Sequence, residues 1–148
     1  MYMIKDLESP IIKYMKRAAS PFHPDNKALI DITKVQGEDT VVTFLPAFDN
    51  PDVPNEWDLG LTEDITLMIG FNLKFDILHM WQLEEMQAFL KRGGNIWCCQ
   101  DVEYLLEGQQ IASQMCSMDS INEKYGGALK VNAVKAHWKE GIETRDIQ

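Results

Sequence analysis

The stretch from Thr66 to Trp81, TLMIGFNLKFDILHMW, constrains the chain most. Its apolar run Leu67-Met68-Ile69 stops at Gly70, and a pattern of helical period begins near Phe75. A buried strand, a tight turn and a helix is the economical reading. The junction carries Asn72 and Asp76, four apart, with Phe75 between them. A strand end that delivers an amide and a carboxylate to a helix start is a rigid place to build a site. The same residues also have a plain structural use. Asp76 suits the positive first turn of a helix, and Asn72 suits a local turn.

A chain of 148 residues is one domain by length, long enough to bury a working core. No run approaches the roughly 18 apolar residues of a membrane span, and the opening MYMIKDLES lacks the features of a signal peptide. The expectation is a cytoplasmic protein with no membrane contact. Cys98, Cys99 and Cys116 are odd in number and read as reduced thiols rather than a disulfide set or a zinc site. The net charge of −9 argues against broad duplex binding, which needs many Lys and Arg contacts to phosphate. It leaves room for a site that grips one strand end through metal ions, because clustered carboxylates make such a site acidic.

Met1 to Lys5 alternates weakly and leads into Asp6-Leu7-Glu8, with Ser9-Pro10 ending the strand. In an extended segment residues 6 and 8 share a face. Two neighbouring carboxylates repel, so they call for a cation or for solvent; a solvated strand end is the plain alternative. Ile11 to Ala19 reads as a short helix with Lys13, Lys16 and Arg17 on its polar side, and Ser20 to Asn26 as a loop with a solvated His23. Ala28 to Val35 and Thr40 to Leu45 read as strands joined by a hairpin at Gln36-Gly37-Glu38-Asp39. Pro46 to Gly60 is a surface connection anchored by Trp57.

The helix after Gly70 is expected to run to about Lys91 and close at Arg92-Gly93-Gly94, with His79 as a packing or surface residue. Asn95 to Cys99 is a fifth strand, and Asp101 to Met115 a helix with Val102, Leu105, Leu106 and Ile111 inward. Ser120-Ile121-Asn122-Glu123 fits a capping box for a helix that stops at Tyr125-Gly126-Gly127. Val131 to Glu140 reads as a last amphipathic helix. The order predicts an α/β fold, a mixed sheet with covered faces.

Together these segments resemble the 3′–5′ proofreading exonuclease domain of family A DNA polymerases in its bacteriophage form, in the DEDD superfamily with a ribonuclease H-like fold. Asp6-Leu7-Glu8 matches the first motif, Asp-x-Glu, with Ser9 where Thr is usual. Gly70-Phe71-Asn72-Leu73-Lys74-Phe75-Asp76 matches the second, Asn-x-x-x-Asp after an apolar strand. Ile96 to Leu106 is similar to the family's next strand and helix, with Cys98 where Asp often stands. Glu123-Lys124-Tyr125-Gly126-Gly127, then Val134-Lys135 to Trp138 and Gly141-Ile142, resemble the run before the third motif. The likeness spans nearly the whole chain, so residues 1–148 read as a single exonuclease-like domain.

The resemblance implies phosphodiester hydrolysis with two divalent metals, Mg²⁺ or Mn²⁺, held by Asp6, Glu8 and Asp76. Asp6 would bridge both ions, Glu8 would serve the nucleophile side and Asp76 the leaving-group side. Asn72, with Leu7 and Phe75 beside it, would hold the 3′ end of single-stranded DNA. The third motif, Tyr-x-x-x-Asp or His-x-x-x-Asp, has no counterpart; Tyr2 with Asp6 is the sole match in spacing, and Asp6 belongs to the first motif. The expectation is a domain incomplete at its C-terminus, a sheet face left uncovered, and poor hydrolysis by this polypeptide alone. A split phage polymerase gene with a complementing fragment, acting in the host cytoplasm, fits best. A truncated reading frame also fits, as does a catalytically silent ribonuclease H-like accessory protein. An unrelated α/β domain would hold Asp6, Glu8 and Asp76 far apart.

Overall fold

A computed structural model describes residues 1–10, 21–23 and 25–128. The helices expected at Ile11 to Ala19, with Lys13, Lys16 and Arg17, and at Val131 to Glu140 lie outside the described residues, as does the run from Val134 to Ile142. A five-stranded mixed sheet forms the centre, in the order β3-β2-β1-β4-β5. Its strands are β1 (Tyr2–Glu8), β2 (Ile30–Val35), β3 (Val41–Phe44), β4 (Leu67–Gly70) and β5 (Asn95–Cys98). The helices are α1 (Pro46–Asp49), α2 (Leu73–Met80), α3 (Glu84–Lys91), α4 (Cys99–Leu106) and α5 (Met118–Tyr125), with a 3₁₀ turn at Ile111–Ser113.

β1 is the middle strand, and its two edges differ. It runs antiparallel to β2 and parallel to β4, while β4 and β5 are parallel. Gln36 N–H donates to Tyr2 O and Leu29 N–H to Glu8 O, so the even residues of β1 turn their backbone groups to β2. Thr66 N–H donates to Met1 O, which assigns the odd residues to β4. The side chains of the odd residues Met3, Lys5 and Leu7 are buried on one face. There Met3, Leu7 and Met68 meet Leu73, Met80, Met86 and Phe89 of α2 and α3 in one cluster. Unbranched methionines suit the uneven gap between a twisted sheet and two short helices. The opposite face, with Ile4, Val42, Phe44 and Trp97, is exposed.

The hairpin at Gln36–Asp39 is present, with Gly37 at φ +85°, a value that costs glycine little. Trp57 packs against the core and donates its indole N–H to Asp31 at 2.9 Å. His79 is buried, edge-on to Phe75 with ring centroids 4.9 Å apart, as a packing residue. Cys98, Cys99 and Cys116 are free thiols, and Cys99 opens α4 rather than closing β5.

Three expectations about helices are corrected. The single helix to Lys91 is two, broken where Leu83 is extended at φ −73° and ψ 131°. Glu84 and Glu85 gain from a fresh N-terminal turn, and Glu85 accepts the backbone N–H of Leu59 (2.7 Å) and of Leu61, tying α3 to that loop. The helix from Asp101 stops at Leu106, because Gly108 and Gln109 have positive φ and turn the chain. Leu105, Leu106 and Ile111 are exposed, and Val102 is half-buried. The inward positions go to Gln100 and Glu103, the latter bound to Lys124 Nζ (2.6 Å) and Tyr125 Oη (3.0 Å). Finally, Ser117 rather than Ser120 caps α5; its Oγ accepts Ser120 N–H at 3.1 Å. Gly126 ends that helix in the left-handed region, φ +73°.

Candidate functional site

β4 is short, and its end creates the site. At Gly70 an added Cβ would lie 2.7 Å from the Lys5 carbonyl oxygen and 2.5 Å from the Leu73 side chain. Only glycine lets β4 run this close to β1 and then leave it. Asn72 turns the chain at φ 56° and ψ 36°, a left-handed conformation that asparagine tolerates. Phe75 N–H donates to Asn72 O at 3.0 Å, and α2 begins.

The departure of β4 leaves the N–H of Leu7 facing an edge with no strand beside it among the described residues. Asp76 fills the gap: its Oδ1 accepts that N–H at 3.0 Å. Side chains on a helix tilt toward its N-terminus, so a carboxylate in the first turn of α2 reaches back to the strand. Leu7 sits between Asp6 and Glu8, and both flank the bonded position on the exposed face of β1. The two acidic motifs therefore meet at one end of the sheet.

The electrostatics carry the mark of that meeting. Burial, and then the negative charges of Asp6 and Glu8, push the Asp76 carboxyl up to about 7, against the opposing pull of the Leu7 hydrogen bond. Burial lowers His79 to about 4, so it is neutral at physiological pH, and among the described residues its buried Nε2 has no hydrogen-bond partner. The Asn72 Oδ1 is likewise buried and has no partner among the described residues, an acceptor one helical turn before Asp76. The Leu7 side chain points into the core, so its contact with the site is through its backbone. Phe75 is half-buried against the His79 ring.

Three carboxylates are hard oxygen donors, the type that Mg²⁺ and Mn²⁺ prefer. A carboxyl whose acidity is suppressed by burial beside two like charges is one that a nearby cation would relieve. In donor type the residues fit a divalent ion. Among the described residues no three such side chains are closed around one ion position.

Behind β1 lies a feature that the motif reading missed. Lys5, 1% exposed, places its Nζ 2.7 Å from Asp31 Oδ2, 2.8 Å from Thr33 Oγ1 and 3.0 Å from Leu59 O. Alternation with Met3 and Leu7 on the core face was its sequence signal. A cleft of about 830 Å³ opens between segments 21–23, 26–27, 54–57 and 78–85, with Asn55, Trp57 and His79 on its wall. None of Asp6, Glu8, Asn72 or Asp76 lines it. Among the described residues no helix is long and apolar enough to cross a membrane. Compared with family models, curated proteins and solved structures, the chain matches none of them.

Proposed function

We propose that this chain is a 3′–5′ exonuclease-type domain of ribonuclease H-like architecture, acting on the 3′ end of single-stranded DNA in phage replication within the host cytoplasm. The observation that carries the reading is the bond from Leu7 N–H to Asp76 Oδ1, which sets the second acidic motif beside the first. The mixed sheet supports it further. The first motif closes the central strand and the second follows the neighbouring parallel strand, the positions that the resemblance implies.

In this reading Asp6, Glu8 and Asp76 hold Mg²⁺ or Mn²⁺. A divalent pair, when bound, supplies Lewis acidity to the attacking water and the leaving 3′ oxygen. The chain's own part is positioning. β1 fixes Asp6 and Glu8 on one face, and the Leu7 N–H locks the Asp76 rotamer. Asn72 Oδ1, buried and without a partner among the described residues, is an acceptor for an N–H or O–H of the terminal nucleotide. Phe75 offers an apolar surface beside it.

The sequence contains no third-motif Tyr-x-x-x-Asp beyond the first motif itself. This polypeptide alone is therefore expected to hydrolyse DNA poorly, and to gain activity from a polymerase fragment that contributes the missing pair. The test is digestion of 5′-labelled single-stranded DNA with Mn²⁺, with and without such a fragment. Activity that rises with the fragment and is lost in Asp6→Asn and Asp76→Asn supports the proposal. No digestion in any combination contradicts it and leaves a silent accessory role in its place.

A further inference from the structure

We propose that two copies of this chain associate through the outer edge of β3, paired antiparallel about a two-fold axis at Thr43. Among the described residues β3 is an edge strand that pairs with β2 alone. Val41, Val42 and Phe44 are 56%, 53% and 62% exposed. Edge strands are normally guarded by lysine, proline or a bulge, because their free backbone groups template pairing with another chain. The run from Thr40 to Pro46, TVVTFLP, has no charge at all in a chain of net charge −9. Its guard is brevity, four residues, with Pro46 just past the end.

The direction of the backbone groups decides the register. Leu45 N–H donates to Leu29 O, and Thr43 lies opposite Asp31. The odd residues of β3 therefore turn inward to β2, and Val42 and Phe44 present their N–H and C=O groups outward. Two donors and two acceptors, spaced two residues apart, are self-complementary in an antiparallel pair centred on Thr43. Val42 of each copy exchanges both bonds with Phe44 of the other.

Val42 stands opposite Ile32 and Phe44 opposite Ile30, and Ile32 stands opposite Asp6, so Val42 and Phe44 share the exposed face of the sheet. The pairing sets a β-branched side chain against an aromatic one twice, a favourable cross-strand combination. Phe44 already rests edge-on against Phe48, centroids 5.0 Å apart, which limits the freedom it has to lose. The next outward position, Thr40, would meet Pro46, which has no N–H to give. The ladder stops there, and the acidic turns at Glu38 and Asp39 end at opposite extremes of the joined strands. Charge thus permits this approach where the acidic remainder of the surface resists self-association.

Such an interface is isologous and closed, since each copy uses its one β3 edge. A contact built on one four-residue strand offers little area against the roughly 1,200–2,000 Å² of a stable complex, so the expected dimer is a reversible one. It is independent of the nuclease reading, because neither Val42 nor Phe44 belongs to the acidic site.

Sedimentation of the 148-residue chain from micromolar to near-millimolar concentration tests this. The weight-average mass is expected to climb from 17.0 kDa toward twice that value. Val42→Pro removes an outward N–H and leaves the β2 ladder whole; Val42→Lys sets charge at the contact. Both variants are expected to stay monomeric with an unchanged circular dichroism spectrum, and the lysine variant decides alone if the proline one unfolds. Thr43→Cys places the two sulfurs across the axis, where facing Cα atoms of a non-hydrogen-bonded pair are about 4.5 Å apart, within disulfide reach. Peptide mapping after mild oxidation is expected to find position 43 linked to itself. A single mass of 17.0 kDa at every concentration overturns the proposal. So does association undiminished in Val42→Lys, or failure of the position 43 link to form.

Discussion

The backbone N–H of Leu7 donates to Oδ1 of Asp76 at 3.0 Å across 69 positions of sequence. That bond takes the place of a strand partner. β4 ends at Gly70, the sheet edge beside Leu7 opens, and a carboxylate from the next helix closes it. A backbone group that would otherwise be buried and unsatisfied becomes the fixed point on which two acidic motifs converge.

The first prediction concerns Asp76 and pH. Its folded value is about 7 against an ordinary 3.8, so between these values the folded state binds a proton that the unfolded state has lost. Stability contributed by this group is therefore full below about pH 4 and falls as pH rises toward 7, by up to about 1.4 kcal/mol per pH unit. Asp76→Asn keeps the acceptor for Leu7 N–H and removes the charge. Urea midpoints should show the variant matching the parent in acid and exceeding it at pH 8.

His79 works in the opposite sense. Its folded value of about 4 lies below the ordinary 6.5, so the unfolded state binds more protons in that window. Stability from this group rises with pH between about 4 and 6.5, with a slope of the same size. The two slopes cancel over their shared range in the parent protein. Asp76→Asn should uncover the rising limb and His79→Phe the falling one, in urea midpoints measured at half-unit pH steps.

Gly70→Ala forces a Cβ against the Lys5 carbonyl oxygen at 2.7 Å and the Leu73 side chain at 2.5 Å. Backbone cannot yield cheaply there, and a loss of about 1–3 kcal/mol is expected from overpacking. Because the clash lies where β4 leaves β1, the Leu7 amide should also lose protection in hydrogen exchange. Gly37→Ala serves as a control: nothing lies within 4 Å of its Cβ, and its cost is that of a positive φ alone.

The pair of Lys5 and Asp31 is buried at 1% and 5% side-chain exposure. Removal of one partner strands a charge in the core and should cost about 3–5 kcal/mol. The double variant Lys5→Met with Asp31→Leu should recover most of that loss. A double-mutant cycle by urea denaturation reads the coupling directly.

The sheet was legible because its strands obey simple patterns: a weak alternation over Met1 to Lys5, a hairpin turn at Gly37, an apolar run stopped at Gly70. Helix ends were less so. Leu83 leaves the helical conformation to pack on the core, and Glu85 is recruited by the backbone of Leu59 and Leu61, a long-range contact that no local window contains. Leu105 and Leu106 look inward by period alone, yet Glu103 wins the buried position through Lys124 and Tyr125. In the candidate site, the spacing of Asp6, Glu8, Asn72 and Asp76 was readable from sequence. The Leu7 N–H that anchors Asp76 was not, since every residue but proline has such a group and only the early end of β4 sets this one free.

Whether Asp6 and Asp76 serve one ion is read by calorimetric titration of Mn²⁺ into the parent chain, Asp6→Asn and Asp76→Asn. Saturable binding by the parent is expected, weakened at least about tenfold in each variant, a loss of about 1.4 kcal/mol. Binding that is identical in all three proteins, or no binding by the parent, would contradict the account of one shared acidic site at the end of β1.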